Sequence, residues 1–169
     1  IEVPLTLKSP SATHKHAVSF ECPGSKIMDF RSKEDKSADA DRSMGRIESQ
    51  LRQWPVQIML VSPSAPYFND ADLLIAADCV PFAYADFHRD LLKGKVLLVG
   101  CPKLDDVMIY KDKIAQIINN NNLKSITYAH MEVPCCFGLI NIIQQAIASS
   151  GKNIPFKEVI ISIKGEKLK

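Results

Sequence analysis

The chain has 169 residues, 46% of them apolar and 24% charged, the balance of one soluble globular domain with an appended arm. Its formal net charge is +2, from 21 basic against 19 acidic side chains, too near neutrality for a nucleic-acid footprint. Pro, Gly, Asn or charge breaks every apolar stretch before membrane-spanning length, which excludes a transmembrane helix. No basic-then-apolar leader opens the sequence, and residue 1 is Ile rather than Met. These features read as a cytoplasmic chain that is a processed or truncated product.

Residues 1–31 are punctuated by Pro4, Pro10, Pro23 and Gly24 and predict an irregular arm. Residues 32–43 carry no large apolar side chain and predict a solvated linker. A short helix is expected over 43–53, where Ile47 and Leu51 share a face, with Pro55 ending it. The organisation is then an arm, linker and short helix over 1–54, followed by an α/β domain over 55–169.

From residue 56 onward, short apolar runs alternate with helical stretches. Strands are expected at 56–61, 72–77, 95–100, 125–130 and 157–164, rich in Val, Ile and Leu as in strands covered on both faces. Helices are expected at 84–92, at 103–119 and at 136–150. The second opens on acidic Asp105 and Asp106, and the third stops before Gly151. This alternation predicts an open, doubly wound, mostly parallel sheet of the Rossmann or flavodoxin kind. The charged and polar residues of the last run mark it as an edge strand.

Five cysteines are too few for a disulfide scaffold, and their odd number argues against full pairing. Their positions carry more information than their number. Cys79 follows the 72–77 run by two residues, Cys101 directly follows 95–100, and Cys135 and Cys136 follow 125–130. In a parallel sheet those carboxyl ends share one edge, where open α/β folds hold ligands. Packing alone explains any single buried cysteine, but three loops at one edge point to a shared metal or cluster site. Thiolate ligands favour zinc or iron–sulfur clusters. No paired Cys-x-x-Cys knuckle exists for a zinc ribbon, so a cluster bridging several loops is expected, with zinc the weaker alternative. Cys22 in the arm is a candidate extra ligand or an ordinary loop thiol. The adjacent pair Cys135–Cys136 suits one ligand and one packed thiol, or a larger cluster.

His88 and His130 are read mainly as surface or satisfied core residues, with ligation the minority role, and His14 and His16 as arm residues. Asp78, Asp105, Asp106 and Glu132 fall at the same expected edge, as helix caps first and proton handlers second. No Gly-rich phosphate loop and no Gly-x-Ser-x-Gly elbow occurs, so nucleotide binding and a serine triad have no sequence support.

Several segments carry a family resemblance: residues 22–30 (CPGSKIMDF), 51–57 (LRQWPVQ), 65–68 (APYF), 77–84 (ADCVPFAY), 100–106 (GCPKLDD) and 131–136 (MEVPCC). Together, from about residue 20 to the end, they resemble the C-terminal domain of a family of anaerobe iron–sulfur cluster-binding, ferredoxin-domain proteins. In that family an N-terminal ferredoxin module usually precedes this domain. The ferredoxin spacing Cys-x-x-Cys-x-x-Cys is absent here, so those clusters do not carry over. The resemblance implies a redox role beside a ferredoxin-type electron carrier. What transfers by motif position is Cys22, Cys79, Cys101, Cys135 and Cys136. The expected function is an iron–sulfur protein, its cluster [4Fe-4S] or larger, in electron transfer or redox catalysis. The rivals are a metal-free thiol enzyme using Cys101 or the Cys135–Cys136 pair, and a partner-binding module with packed thiols or structural zinc.

Overall fold

The computed structural model describes residues 23–31 and 48–169. Cys22, His14, His16 and the stretch 32–47, with the expected linker and the start of the expected first helix, lie outside the described residues. Among the described residues no helix is long and apolar enough to cross a membrane.

Four parallel strands form the central sheet: β3 (Asp72–Ala77), β4 (Val96–Gly100), β5 (Ser125–Met131) and β6 (Phe156–Ile161). Their order is β4-β3-β5-β6, with β6 at one edge as its polar residues predict. A separate two-stranded antiparallel ribbon joins β1 (Met28–Asp29) to β2 (Gln53–Trp54). The chain leaves β3 toward β4 in one direction, then crosses back over β3 to β5 and on to β6. Connections running in opposite directions must cover opposite faces of a twisted parallel sheet, so the fold is doubly wound. On one face lie α2 (Val107–Asn120) and α3 (Phe137–Ser150), packed on each other. On the other lie the single turn α1 (Val80–Ala83) and a π-helical turn at Phe87–Leu92.

Strand alternation sorts the core. Leu73, Ile75, Val96 and Leu98 face α2 and α3, joining Tyr110, Ile114, Ile117, Leu139 and Ile143. Leu74, Ala76, Leu97 and Val99 face the other way, toward Val80, Phe87, Leu91 and Leu92. Each fully buried Leu or Ile contributes about 2 kcal/mol by leaving water. Asp106 takes the capping role expected of it, accepting the Met108 N–H at 2.8 Å, but α2 starts at Val107 rather than at 103, because the Leu104 and Asp105 N–H groups turn back onto the Cys101 carbonyl. The far end of α2 is tied down by Lys152, whose Nζ donates to the carbonyls of Ile118, Asn119 and Asn121. Gly151 closes α3 in a left-handed conformation at φ 67°.

Two sequence expectations fail where the chain enters the sheet. Residues 56–61 do not form a strand. Only Gln57 bridges to Val99, and the Leu60 and Val61 N–H groups then fold back onto the Gln57 carbonyl. A turn closing that early leaves no length for a ladder. The described part of the expected 43–53 helix, from Glu48, is not helical: it has no regular structure up to Gln53, where β2 begins. Its partners are tertiary: β2 pairs with β1, and the Gln53 side chain donates to the Leu97 carbonyl at 2.5 Å. The expected 84–92 helix begins earlier and splits in two, α1 and then the π-helical turn. The last strand stops at Ile161 rather than 164, because Ser162 accepts the N–H groups of Lys164 and Glu166 in a turn.

Candidate functional site

Three neighbouring strands end at the same edge and each hands the chain into a cysteine-bearing loop. Ala77 of β3 pairs with Gly100 of β4, and Ala76 pairs with Ala129 of β5, so the carboxyl ends are level. Cys79 follows β3, is exposed and precedes α1. Cys101 follows β4 and is half-buried. Cys135 is exposed and Cys136 buried in the 3-10 turn Pro134–Cys136 that leads into α3.

The structure brings both Cys135 and Cys101 within electrostatic reach of Cys136. Burial pushes the Cys136 thiol up to about 11, with the neighbouring Cys135 and Cys101 acting in the same direction and a backbone hydrogen bond at Met131 opposing. Beneath them the Tyr128 hydroxyl donates to the Cys136 carbonyl at 2.9 Å. Burial holds that phenol protonated well above its ordinary range, and the same three cysteines act on it. Cys79 is absent from both neighbourhoods. Among the described residues no group of three or more His, Cys, Asp and Glu side chains is arranged to hold a metal ion.

The Cys101 loop is held from below by a tyrosine. Tyr110 on α2 places its hydroxyl against Gly100, where it accepts the Cys101 N–H at 3.0 Å and donates to Asp105. A Cβ at position 100 would overlap that hydroxyl, so glycine is required by close approach. The Cys101 carbonyl accepts both the Leu104 and Asp105 N–H groups, closing a tight turn. Nothing local marks Tyr110 as part of this site; the only hint is a glycine ending an apolar strand.

The remaining candidates have structural partners. His130 is fully buried, its ring nitrogens facing the Met131 carbonyl at 2.8 Å and Glu158 at 3.1 Å. It stacks on Tyr128 and meets Phe137 edge-on. His88 accepts the Gln50 N–H through Nδ1 at 3.1 Å, on the opposite side of the sheet. Asp106 caps a helix, Asp105 accepts from Tyr110, and Glu132 accepts the Ile163 N–H at 2.8 Å. Asp78 differs from these. It follows β3 directly and borders a pocket of about 380 Å³ between the sheet, α1 and the π-helical turn.

Residues 65–169 match the Rossmann-like domain family. The chain belongs to that family. It is also similar to a protein of Archaeoglobus fulgidus named "Uncharacterized protein", with 34% identity over 116 residues, covering 69% of this chain and 81% of that protein. No solved structure matches the chain.

In this Rossmann-like domain the crevice expected for a ligand is where adjacent strands send their connections to opposite faces. That point lies between β3, which leads to α1, and β5, which leads to α3. Cys79 and Asp78 stand on one side of it, Cys135 and Cys136 on the other. Cys101, after the outer strand β4, completes the arc.

Proposed function

We propose that this Rossmann-like domain is a redox protein that carries an iron–sulfur cluster on thiols at the carboxyl edge of its sheet. The reading rests on one observation: loops after three adjacent strands present Cys79, Cys101 and the Cys135–Cys136 pair at the topological switch point. Soft thiol donors from separate loops suit a cluster better than a single hard cation. Cys101, Cys135 and Cys136 would supply the nearest thiols, and Cys79 the fourth. A bound cluster would supply one-electron chemistry. The chain's own part is to hold the thiols: Tyr110 fixes the Cys101 turn, and Tyr128 anchors the Cys135–Cys136 turn by its hydrogen bond to the Cys136 carbonyl.

The motifs that resemble the anaerobe ferredoxin-domain family extend the proposal to a ferredoxin-type electron carrier as partner, in the cytoplasm. A metal-free thiol enzyme is the second reading, favoured by the absence of a ready-made cation group among the described residues and by the thiol–thiol contact of Cys135 with Cys136. Anaerobic purification with iron and acid-labile sulfide analysis separates the two. Iron and sulfide, with visible absorption that bleaches on reduction and is lost in Cys101→Ser and Cys135→Ser, is the expected result. A chain that stays metal-free after reconstitution overturns it in favour of thiol chemistry.

A further inference from the structure

His130 is fully buried, and both of its ring nitrogens face acceptors. Nδ1 lies 2.8 Å from the Met131 carbonyl, which has no proton to give. Nε2 lies 3.1 Å from Glu158 Oε1. Lys169 first, and His130 with it, hold the Glu158 carboxyl below the usual carboxylate range, so this group is also an acceptor only. A neutral imidazole has one N–H and cannot serve both; the arrangement is complete only for the imidazolium. The groups that face the ring are few. β6 presents Glu158, with Lys169 behind it, and β5 itself presents Tyr128, stacked at 4.9 Å. The turn before α3 carries Cys135 and Cys136, the latter joined to Tyr128 through its carbonyl. α3 has no titratable side chain and meets the ring with Phe137, and β3 has only Asp72, at its far end.

This trio sits where residues 162–169 are fastened to the sheet. Ile160, which pairs with His130 across the β5–β6 ladder, donates its N–H to the Lys169 carbonyl and accepts the Leu168 N–H. The Lys169 ammonium donates to Glu158 as well. Earlier in the segment, Ile163 donates its N–H to Glu132, ahead of the Cys135–Cys136 turn. Gly165 lies so close to the Ala83 carbonyl of α1 that a side chain there would overlap it. The segment is thus a strap that touches α1, which follows Cys79, and the loop that leads to Cys135. We propose that His130, Glu158 and Lys169 form a proton-operated clasp: the imidazolium fixes Glu158 and through it the strap, and loss of one ring proton releases both. The Met131 carbonyl is locked in a buried strand, whereas Glu158 reaches solvent. The neutral ring therefore keeps its Nδ1–H and turns the Nε2 lone pair toward the carboxylate. Repulsion drives Glu158 outward, loosens Lys169, and leaves the Ile160 ladder to hold the strap. The clasp operates whether or not the thiols carry a cluster.

The test is NMR of the ¹⁵N-labelled full chain between about pH 5 and pH 9, the range in which histidine changes charge. Long-range ¹H–¹⁵N correlation reads the two ring nitrogens, and the amide shifts of Ile163, Gly165 and Leu168 read the strap. At the acid end both nitrogens of His130 should be protonated. On raising the pH, Nε2 alone should lose its proton, and the strap amides should move with the same midpoint. Glu158→Gln, at a partly exposed side chain, should leave the ring titrating but abolish the linked amide shifts. Lys169→Met, which keeps the backbone ladder, should do the same and serves if the first variant does not fold. A ring with one proton throughout, loss of the proton from Nδ1 instead, strap amides indifferent to the ring, or linked shifts that survive in the variants overturns the proposal.

Discussion

The two faces of the sheet are covered unequally. On one, α2 and α3 each run 14 residues, lie against one another, and close a core that includes Tyr67, Tyr110 and Tyr128. On the other, the connection from β3 to β4 has only α1, four residues long, and a six-residue π-helical turn. Two long amphipathic helices can tile a face of four strands; two short turns cannot, and a pocket remains between them. Cys101, Cys135 and Cys136 sit in the loops that feed the closed face, while Asp78 and Cys79 sit in the loop that feeds the open one. Rigidity and access are therefore divided across the same sheet edge.

Paired core truncations test that division most strongly. Leu98→Ala, on the closed face, should cost about 3–4 kcal/mol, and its strand neighbour Leu97→Ala, bordering the pocket, about half as much. Urea unfolding with unchanged slopes is the measurement, and equal losses would show both faces to be equally closed. Gly100→Ala, which drives a methyl into the Tyr110 hydroxyl, should cost about 2 kcal/mol. Adding Tyr110→Phe should cost less on that background than alone, a non-additivity that a double-mutant cycle reads directly.

A third effect is pH-dependent. The Cys136 pKa rises from an ordinary 9.0 to about 11, so the folded state favours the thiol over the thiolate. Its contribution is complete below pH 9.0 and is lost as pH rises toward about 11. Thermal melts should therefore decline across that window, less steeply in Cys136→Ala. Iodoacetamide near neutral pH should label exposed Cys135 before buried Cys136, as peptide mass spectrometry would show.

The smallest expected effect concerns the open face. The Asp78 carboxyl is raised above 3.8 by burial and by Asp105, so the folded state favours its protonated form. That contribution is present at acid pH and lost as pH rises through the folded value. Asp78→Asn should then melt slightly higher than the parent at neutral pH and equally at acid pH. A lower melting temperature at neutral pH would mean the carboxylate has a stabilising partner that Gln57 alone does not provide.

Much of the fold was readable from local pattern. The runs at 72–77, 95–100 and 125–130 are strands within a residue of expectation, because strands covered on both faces need unbroken apolar sequence. Gly151 and Asp106 announced helix ends through backbone conformation and capping chemistry that act over a few residues. The entry to the domain was not readable. Residues 48–61 have helix- and strand-like composition, yet β1, the Leu97 carbonyl and the His88 ring decide their conformation. Those partners lie about twenty to fifty residues away, beyond the reach of any periodicity argument.

The cysteines divide in the same way. Chain order alone set Cys79, Cys101, Cys135 and Cys136 after strands, because alternation of strand and helix forces parallel ends to one edge. Only the tertiary structure decided which thiols are neighbours. Strand order seats the Cys79 loop between the other two, yet α1 carries it toward the open face while the others turn under α2 and α3. Tyr110 and the Asp78 pocket were likewise decided by packing: their partners meet only when the faces of the sheet are filled, and local sequence carries no record of that filling.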